Sequence, residues 1–517
     1  MNGAQAVVRT LVSSGVNTCF ANPGTSEMHF VAALDDVPEM RGVLCLFEGV
    51  ATGAADGYGR MRGHPAATLL HLGPGLGNGL ANLHNARRAQ TPVLPIVGDH
   101  ATYHKRYDAP LESDIDAMAG AVSGWVRRSM RSADAPTDAA QAVVAAVSPP
   151  GQVATLILPA DVTWTDGAEP AAPIKARAPA MVPGAVVDHV AGVLGSGEQV
   201  ILFLGGAALR CDALESASRI AQATGARLLG ETFAARHERG AGIPNVERLQ
   251  YLVEAAAAQL AGARHVILAG ATSPVSYFAY PDKPSTPLPE GCEVHELASG
   301  SDDIAHALAA LADRVAPGTS PSLQQPTRPD IPDGDLNAQS AAAVIGALLP
   351  ESAIVSDEAA TSGIFMSAAT AGAPQHDWLN LTGGAIGQGL PLATGAAVAC
   401  PDRPVIALEA DGSAMYTISA LWTHAREQLD ITTVIFSNRA YGILRMELQR
   451  TGAPTTGATA QSLLDLSNPE LDFVALATGM GVPASRADTA GEFADQLRKA
   501  LSEPGPHLIE AAVPPLM

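Results

Sequence analysis

Asp411 follows residues 404–409 (PVIALE), an apolar run of strand type, and is itself followed by Gly412 and Ser413. The next such run, residues 431–436 (ITTVIF), leads to Asn438, 27 positions after Asp411. A strand-helix-strand unit over that interval delivers a carboxylate and a carboxamide to one edge of a sheet. Hard oxygen donors of this kind suit Mg²⁺ or Ca²⁺ and not a soft metal. Gly412 and Ser413, at the expected start of the intervening amphipathic segment (residues 416–428), offer backbone N–H groups and a hydroxyl to an anion. A divalent cation beside such a helix start is what a diphosphate requires. An N-cap role for Asp411 and a turn role for Asn438 fit the same residues.

A second group lies in residues 48–60 (EGVATGAADGYGR). Glu48, Ala51 and Ala55 fall on one helical face among small neighbours, and Asp56-Gly57 reads as the point where the helix ends or loosens. Glu48 has little competing charge around it, so its carboxyl could share a proton with a ligand nitrogen; the plainer reading is a residue complementing a helix start. Residues 22–27 (NPGTSE) read as a turn into a helix, and residues 71–78 (HLGPGLGN) as a Gly-rich loop into a helix over 80–87. Both can bring backbone or short polar side chains to a ligand. His100 and His104, in GDHATYHK, either reach the same place or belong to a surface loop.

These residues need a scaffold that ends several strands at one edge. Short β-branched runs alternate with helical patterns throughout the chain, the pattern of parallel α/β layers, and the polar residues stand at the strand ends where open sheets bind ligands. Two Pro-rich stretches without apolar periodicity, near residues 165–183 and 317–335, divide the 517 residues into pieces near 1–164, 184–316 and 336–517. With 47% apolar and 16% charged residues the chain can fill large cores, and 50 glycines with only 4% aromatics suit closely packed layers. A net charge of −21 argues against nucleic acid and anionic membranes as partners. The first residues lack a basic region followed by an apolar one, and no stretch is apolar enough to span a bilayer, so a cytoplasmic protein is expected. Five scattered cysteines without a CxxC pair are expected to be reduced.

The run ADGSAMYTISALW…NRAYG resembles the metal and diphosphate motif of thiamine-diphosphate (ThDP) enzymes, and E-x-x-A-x-x-A-D-G-Y-x-R resembles their other signature. Residues 383–391 (GGAIGQGLP) resemble the segment in which a bulky apolar residue, here Ile386, wedges the cofactor into a bent shape. Two departures stand out: Ala410 replaces the first Gly of the GDG triplet, and Arg439 occupies a position often taken by Gly or another small residue. The resemblance covers nearly the whole chain and points to the group containing benzoylformate decarboxylase and acetolactate synthase large subunits. It implies three Rossmann-like, doubly wound domains with parallel sheets: pyrimidine-binding (1–164), central (184–316) and diphosphate-binding (336–517). It further implies Mg²⁺ on the side chains of Asp411 and Asn438 and the carbonyl of Ala440, with Gly412, Ser413, Tyr441 and Gly442 also at the cofactor. Glu48 is implied as the residue hydrogen-bonded to N1′ of the aminopyrimidine, favouring the imino tautomer that removes the C2 proton. Thr25 and His71 fall where benzoylformate decarboxylase has a substrate-contacting Ser and His, and Asn78 where that family faces the cofactor. His71 could protonate or orient the substrate carboxylate.

The expected activity is therefore attack on a small 2-oxo acid and loss of CO₂, with the enamine either ligated to an aldehyde or second 2-oxo acid, as in acetolactate synthase, or protonated, as in benzoylformate decarboxylase. The cofactor is expected between Glu48 of one subunit and Asp411 and Asn438 of another, in a homodimer or homotetramer. The central piece has no evident GxGxxG, which argues against FAD. The competing reading is a non-catalytic protein of the same fold that binds a nucleotide or coenzyme A. Substrate choice falls to poorly marked segments, residues 272–287 and 440–457, where Leu444, Met446 and Leu448 are pocket walls or plain core.

Overall fold

Strands such as Ile431–Ser437 and Leu94–Asp99 are buried at every position, as befits the interior of a parallel sheet covered on both faces. The computed structural model describes residues 1–515 and arranges such strands in three sheets. The first has the order Arg41–Leu44, Thr18–Asn22, Ala67–Leu70, Leu94–Asp99, Ala154–Pro159, Trp125–Arg128, parallel throughout. The middle sheet runs Glu247–Arg248, Arg227–Gly230, Val200–Leu204, His265–Ala269, Glu293–Ala298. The third runs Ala484–Ala487, His507–Ala512, Ile431–Ser437, Val405–Ala410, Ile354–Glu358, His376–Asn380 and finally His237–Arg239. That last strand comes from the middle of the chain and pairs antiparallel, tying the central segment to the third sheet.

The chain leaves Thr18–Asn22 for one side of the first sheet and reaches Ala67–Leu70 on the other. In the third sheet the same reversal falls between Ile354–Glu358 and Val405–Ala410. Such switch points open crevices at the carboxyl ends of strands. Thr25 and His71 follow the first pair of strands, and Asp411 follows the second.

Helix Glu48–Arg62 and the fully buried helix Gly389–Ala399 join the first and third layers. A Cβ on Gly57 would lie 2.0 Å from the Leu392 carbonyl oxygen, and one on Gly395 1.8 Å from that of Ala54, so glycine lets the two backbones touch. Helix Glu48–Arg62 therefore runs straight through Asp56-Gly57, where the sequence suggests an end. Tertiary packing overrides glycine's poor helix propensity there.

The same correction applies to residues 71–78. Only His71 lies outside helix Leu72–Arg88, so the Gly-rich stretch is its first turns and Asn78 is a helical residue. A Cβ on Gly73 would meet Ser113 Oγ at 1.7 Å, and one on Gly79 would meet Thr52 Cγ2 at 2.8 Å, so these glycines serve close packing. The expected amphipathic segment over 416–428 is shorter in fact, a helix over Ala420–Arg426 preceded by a one-turn helix, Asp411–Ala414. The five cysteines are free.

Candidate functional site

At the first crevice Leu72 adopts a left-handed backbone (φ 51°) while fully buried. Such a conformation costs about 1–2 kcal/mol for an L-residue, and here packing holds it. The turn lays the His71 ring against Gly24, where a Cβ would lie 2.3 Å from Nδ1. His71 Nδ1 is hydrogen-bonded to Glu27 Oε2 at 2.8 Å, and the same oxygen accepts the Gly24 N–H at 2.7 Å. Glu27 is only 2% exposed. Burial pushes its carboxyl above the usual range, while the Gly24 N–H and the His71 ring pull it back. Thr25, exposed, opens the three-residue 3₁₀ turn that carries Glu27. Glu27 is the functional candidate that sequence reasoning passed over. Its signal is the carboxylate two residues after Thr25 in NPGTSE.

Glu48 is the first residue of its helix and 7% exposed. Its Oε2 accepts from Asn78 Nδ2 at 2.9 Å, and a Cβ on Gly75 would stand 3.2 Å from its Oε1, so Gly75 leaves space beside the carboxyl. One turn further along the helix, Asn82 Nδ2 donates to the carbonyls of Gly49 (2.8 Å) and Gly387 (3.3 Å), and Asn85 Nδ2 to that of Ala385 (2.8 Å). The segment carrying Ile386 is thereby fastened to the helix that carries Asn78. Glu358 anchors it from the other side, accepting the N–H groups of Gly387 (2.8 Å) and Gly389 (2.6 Å). Ile386 itself is half-buried and belongs to none of the buried clusters, so it is not an ordinary core isoleucine.

At the second crevice Asp411 is 2% exposed and accepts from the backbone N–H of Gly412 (2.8 Å) and of Arg439 (2.6 Å). Burial raises its pKa, and only backbone N–H groups oppose that. Among the described residues no Lys, Arg or His pairs with it. Asn438 Oδ1, also buried, accepts the Ala440 N–H at 3.0 Å. Asp411 and Asn438 thus follow two paired strands, a carboxylate and a carboxamide of the hard-oxygen kind Mg²⁺ takes, while the Ala440 carbonyl accepts the Gly442 N–H at 2.9 Å. A buried carboxylate without a cationic partner is a place where a divalent cation fits. The Tyr441 ring covers Gly412, where a Cβ would lie 2.4 Å from Cε1, and a Cβ on Gly442 would stand 3.2 Å from Thr361 Oγ1. Two expectations need amending. The Ser413 hydroxyl donates to the Ala410 carbonyl at 3.0 Å, so the helix backbone rather than that hydroxyl is left to meet an anion. Arg439 keeps the left-handed backbone (φ 57°) that a glycine would adopt freely, so the loop holds its shape despite the larger residue.

The structure therefore groups Thr25, Glu27 and His71; Glu48 and Asn78; and Asp411 to Ser413 with Asn438 to Gly442. The His100 and His104 rings lie 5.5 Å apart between centroids in a tilted arrangement, and His104 lies likewise against Tyr107, in the segment after strand Leu94–Asp99. The segments suspected of substrate choice meet each other: Tyr280 donates to Glu447 at 2.7 Å, and Arg450 lies over the Tyr280 ring at 4.5 Å. Helix Gly442–Arg450 has no buried residue, so Leu444, Met446 and Leu448 are not plain core. A cavity of about 570 Å³ bordered by Arg328, Glu351 and Gln375 contains none of these groups.

Two switch-point crevices carrying these constellations define a thiamine pyrophosphate enzyme, and comparison bears this out. Residues 1–119 match the family model for the N-terminal TPP binding domain of thiamine pyrophosphate enzymes, and residues 360–511 that for the C-terminal TPP binding domain. A Mycobacterium tuberculosis H37Rv protein named "Putative acetolactate synthase large subunit IlvX" is 65% identical, covering 100% of both chains. Benzoylformate decarboxylase of Pseudomonas aeruginosa PAO1 is 31% identical over 96% of both. Among solved structures, the ThDP-dependent 4-hydroxybenzoylformate decarboxylase of Rhodococcus jostii RHA1 superposes with a TM-score of 0.85 at 25% identity over 99% of both chains. The chain belongs to the thiamine pyrophosphate enzyme family. Within it, the protein is a ThDP-dependent enzyme of the acetolactate synthase and benzoylformate decarboxylase group.

Proposed function

We propose that the protein uses ThDP and Mg²⁺ to decarboxylate a small 2-oxo acid and then ligates the remaining fragment to a second carbonyl compound. The observation that carries the cofactor reading is Asp411, a buried carboxylate with only backbone partners, at the end of the strand paired with the one that leads to Asn438. Asp411, Asn438 and the Ala440 carbonyl would hold Mg²⁺, with Gly412, Ser413, Tyr441 and Gly442 about the diphosphate and Ile386 against the bend of the cofactor. Bound ThDP supplies a nucleophilic carbon and an electron sink for loss of CO₂.

Glu48, oriented by Asn78, shares a proton with the aminopyrimidine. His71, fixed through Nδ1 by Glu27, keeps Nε2 to orient the substrate carboxylate or pass a proton, and Thr25 contacts the substrate. Pyrimidine binding belongs to residues 1–164 and diphosphate binding to 336–517, with 184–316 as a central domain. ThDP would lie between Glu48 of one subunit and Asp411 and Asn438 of its neighbour, so the minimal active unit would be a homodimer, alone or within a homotetramer. Free cysteines, and the lack of any helix long and apolar enough to cross a membrane among the described residues, support a cytoplasmic setting.

Ligation is placed first because the relative at 65% identity is named as an acetolactate synthase large subunit. The second fate, simple protonation to an aldehyde, is favoured by the acid-base pair Glu27–His71 at the first crevice. A reading without FAD is supported by the central switch point. There the half-buried Glu231 carboxyl, pushed up to about 7 by desolvation, accepts the Gly206 N–H at 3.1 Å, and a Cβ on Gly270 would lie 2.4 Å from the Gly205 carbonyl. The test is a panel of 2-oxo acids, each with and without an acceptor aldehyde or excess 2-oxo acid, scored for CO₂ and for hydroxyketone or hydroxyacid products. ThDP-dependent CO₂ release is expected. A purified protein that neither carries nor takes up ThDP would return the reading to a non-catalytic binding protein.

A further inference from the structure

The amino ends of the central sheet hold a histidine cluster that no step of the proposed reaction uses. Strands His265–Ala269 and Glu293–Ala298 pair in parallel with His265 opposite Glu293, and the strand period of two puts His295 on the same face as Glu293. His265 Nδ1 and His295 Nε2 lie 3.1 Å apart. Glu293 Oε2 is 3.8 Å from each of them. A point equidistant from these three atoms is about 2.1 Å from each, the ordinary length of a Zn–N or Zn–O bond.

The outer nitrogens are also placed for this purpose. His265 Nε2 meets Glu198 Oε2 at 2.7 Å, and His295 Nδ1 meets His189 Nε2, on helix Gly184–Leu194, at 3.2 Å. A ligating histidine commonly gives its other N–H to a carboxylate or comparable acceptor, which fixes the ring and raises its basicity. His265 is 9% exposed, so its ring is held in one position by its surroundings. Glu293 is largely exposed, so a solvent ligand can complete four-coordination.

We propose that His265, His295 and Glu293 form a binding site for a borderline transition-metal ion, Zn²⁺ in particular, with Glu198 and His189 orienting the two imidazoles. Two imidazoles and one carboxylate select Zn²⁺ over Mg²⁺ or Ca²⁺. The cluster lies at the amino ends of strands, whereas the proposed cofactor residues follow carboxyl ends, so the ion is a structural clamp joining the edge strand, helix Gly184–Leu194 and the loop carrying Glu198.

The test uses holoprotein saturated with ThDP and Mg²⁺ and titrated with Co²⁺ as a spectroscopic probe. One Co²⁺ per chain should give the visible ligand-field absorption of a four-coordinate site, and Zn²⁺ should displace it. The double variant His265→Ala/His295→Ala should lose that signal. Glu198→Gln, at an exposed position, should retain the stoichiometry and weaken binding 10- to 100-fold. Zn²⁺ should raise the unfolding midpoint of the wild type but not of His295→Gln, compared at equal ThDP occupancy and with unchanged circular dichroism. Equal Co²⁺ affinity in the wild type and the double variant, or no four-coordinate signal in the wild type, overturns the proposal.

Discussion

Glu27 and His71, 44 positions apart in sequence, share a hydrogen bond of 2.8 Å across the switch point of the first sheet. Gly24 is what permits the ring to lie there, and the left-handed turn at Leu72 is what aims it. Neither residue achieves this alone: the carboxylate fixes the imidazole, and the imidazole gives a nearly buried carboxylate a partner.

If His71 handles the substrate, His71→Ala should lower kcat for CO₂ release by about 10²- to 10⁴-fold, the usual range for a positioned acid-base group. Glu27→Gln should shift the pH profile of kcat and lower its plateau by less. Both variants should bind ThDP as the wild type does. An unaltered pH profile in Glu27→Gln would show that the pair is only structural.

The third sheet hides a second electrostatic feature. Glu409 is fully buried, and both its burial and the nearby Glu358 charge hold its carboxyl well above the usual range; Glu358 is raised too, by burial, against the pull of the Gly389 and Gly387 N–H groups. A carboxyl whose folded pKa exceeds its unfolded one contributes stability that is complete below the unfolded pKa and lost as pH rises through the folded one. Urea midpoints should therefore fall as pH climbs from the ordinary carboxylate range into neutral and alkaline pH. Glu409→Gln should flatten that decline, and a decline of equal slope in that variant would place the cause elsewhere.

Arg60 and Asp56 form a buried pair with two contacts (2.7 and 2.9 Å), and Arg60 also donates to the Asn380 carbonyl at 2.7 Å. Gln388 Nε2 donates to the same Asp56 at 2.6 Å. This part of the second signature therefore binds the first layer to the third. Arg60→Met strands a buried carboxylate and should cost about 3–5 kcal/mol of unfolding free energy. A loss below about 1 kcal/mol, as for an exposed pair, would contradict the clamp.

Residues 272–287 and helix Gly442–Arg450 are held together by the Tyr280–Glu447 bond. A hydrogen bond to a charged group is worth about 1.5–3 kcal/mol. Tyr280→Phe should consequently speed proteolytic nicking in residues 440–457 by about tenfold or more, and nicking at the wild-type rate would mean that the two segments are held by other contacts.

The strand-helix-strand arithmetic around Asp411 and Asn438 was readable in the sequence because strand ends of a parallel sheet share an edge. The burial of Glu48 was readable from its setting of small residues. Glu27 was not, because within its own segment it looks like any acid in a first turn, and its meaning comes from a histidine just beyond another strand. The helical state of residues 72–79 and the continuity of Glu48–Arg62 through Asp56-Gly57 were hidden for the opposite reason. Local Gly and Pro content argues for loops there, while contacts with Thr52, Ser113 and Leu392, which only the folded chain supplies, demand small residues on helices. The His265–Glu293–His295 group was equally invisible, since strand register and not spacing brings it together.

The central claim is that Glu48 drives ThDP chemistry while Asp411 and Asn438 hold the cofactor. Its most direct test is the Glu48→Gln variant, assayed for bound ThDP by mass spectrometry and for CO₂ release from the best 2-oxo acid. The account predicts ThDP retained at wild-type occupancy with CO₂ release reduced by at least about 10²-fold. Release at the wild-type rate from that variant would contradict it.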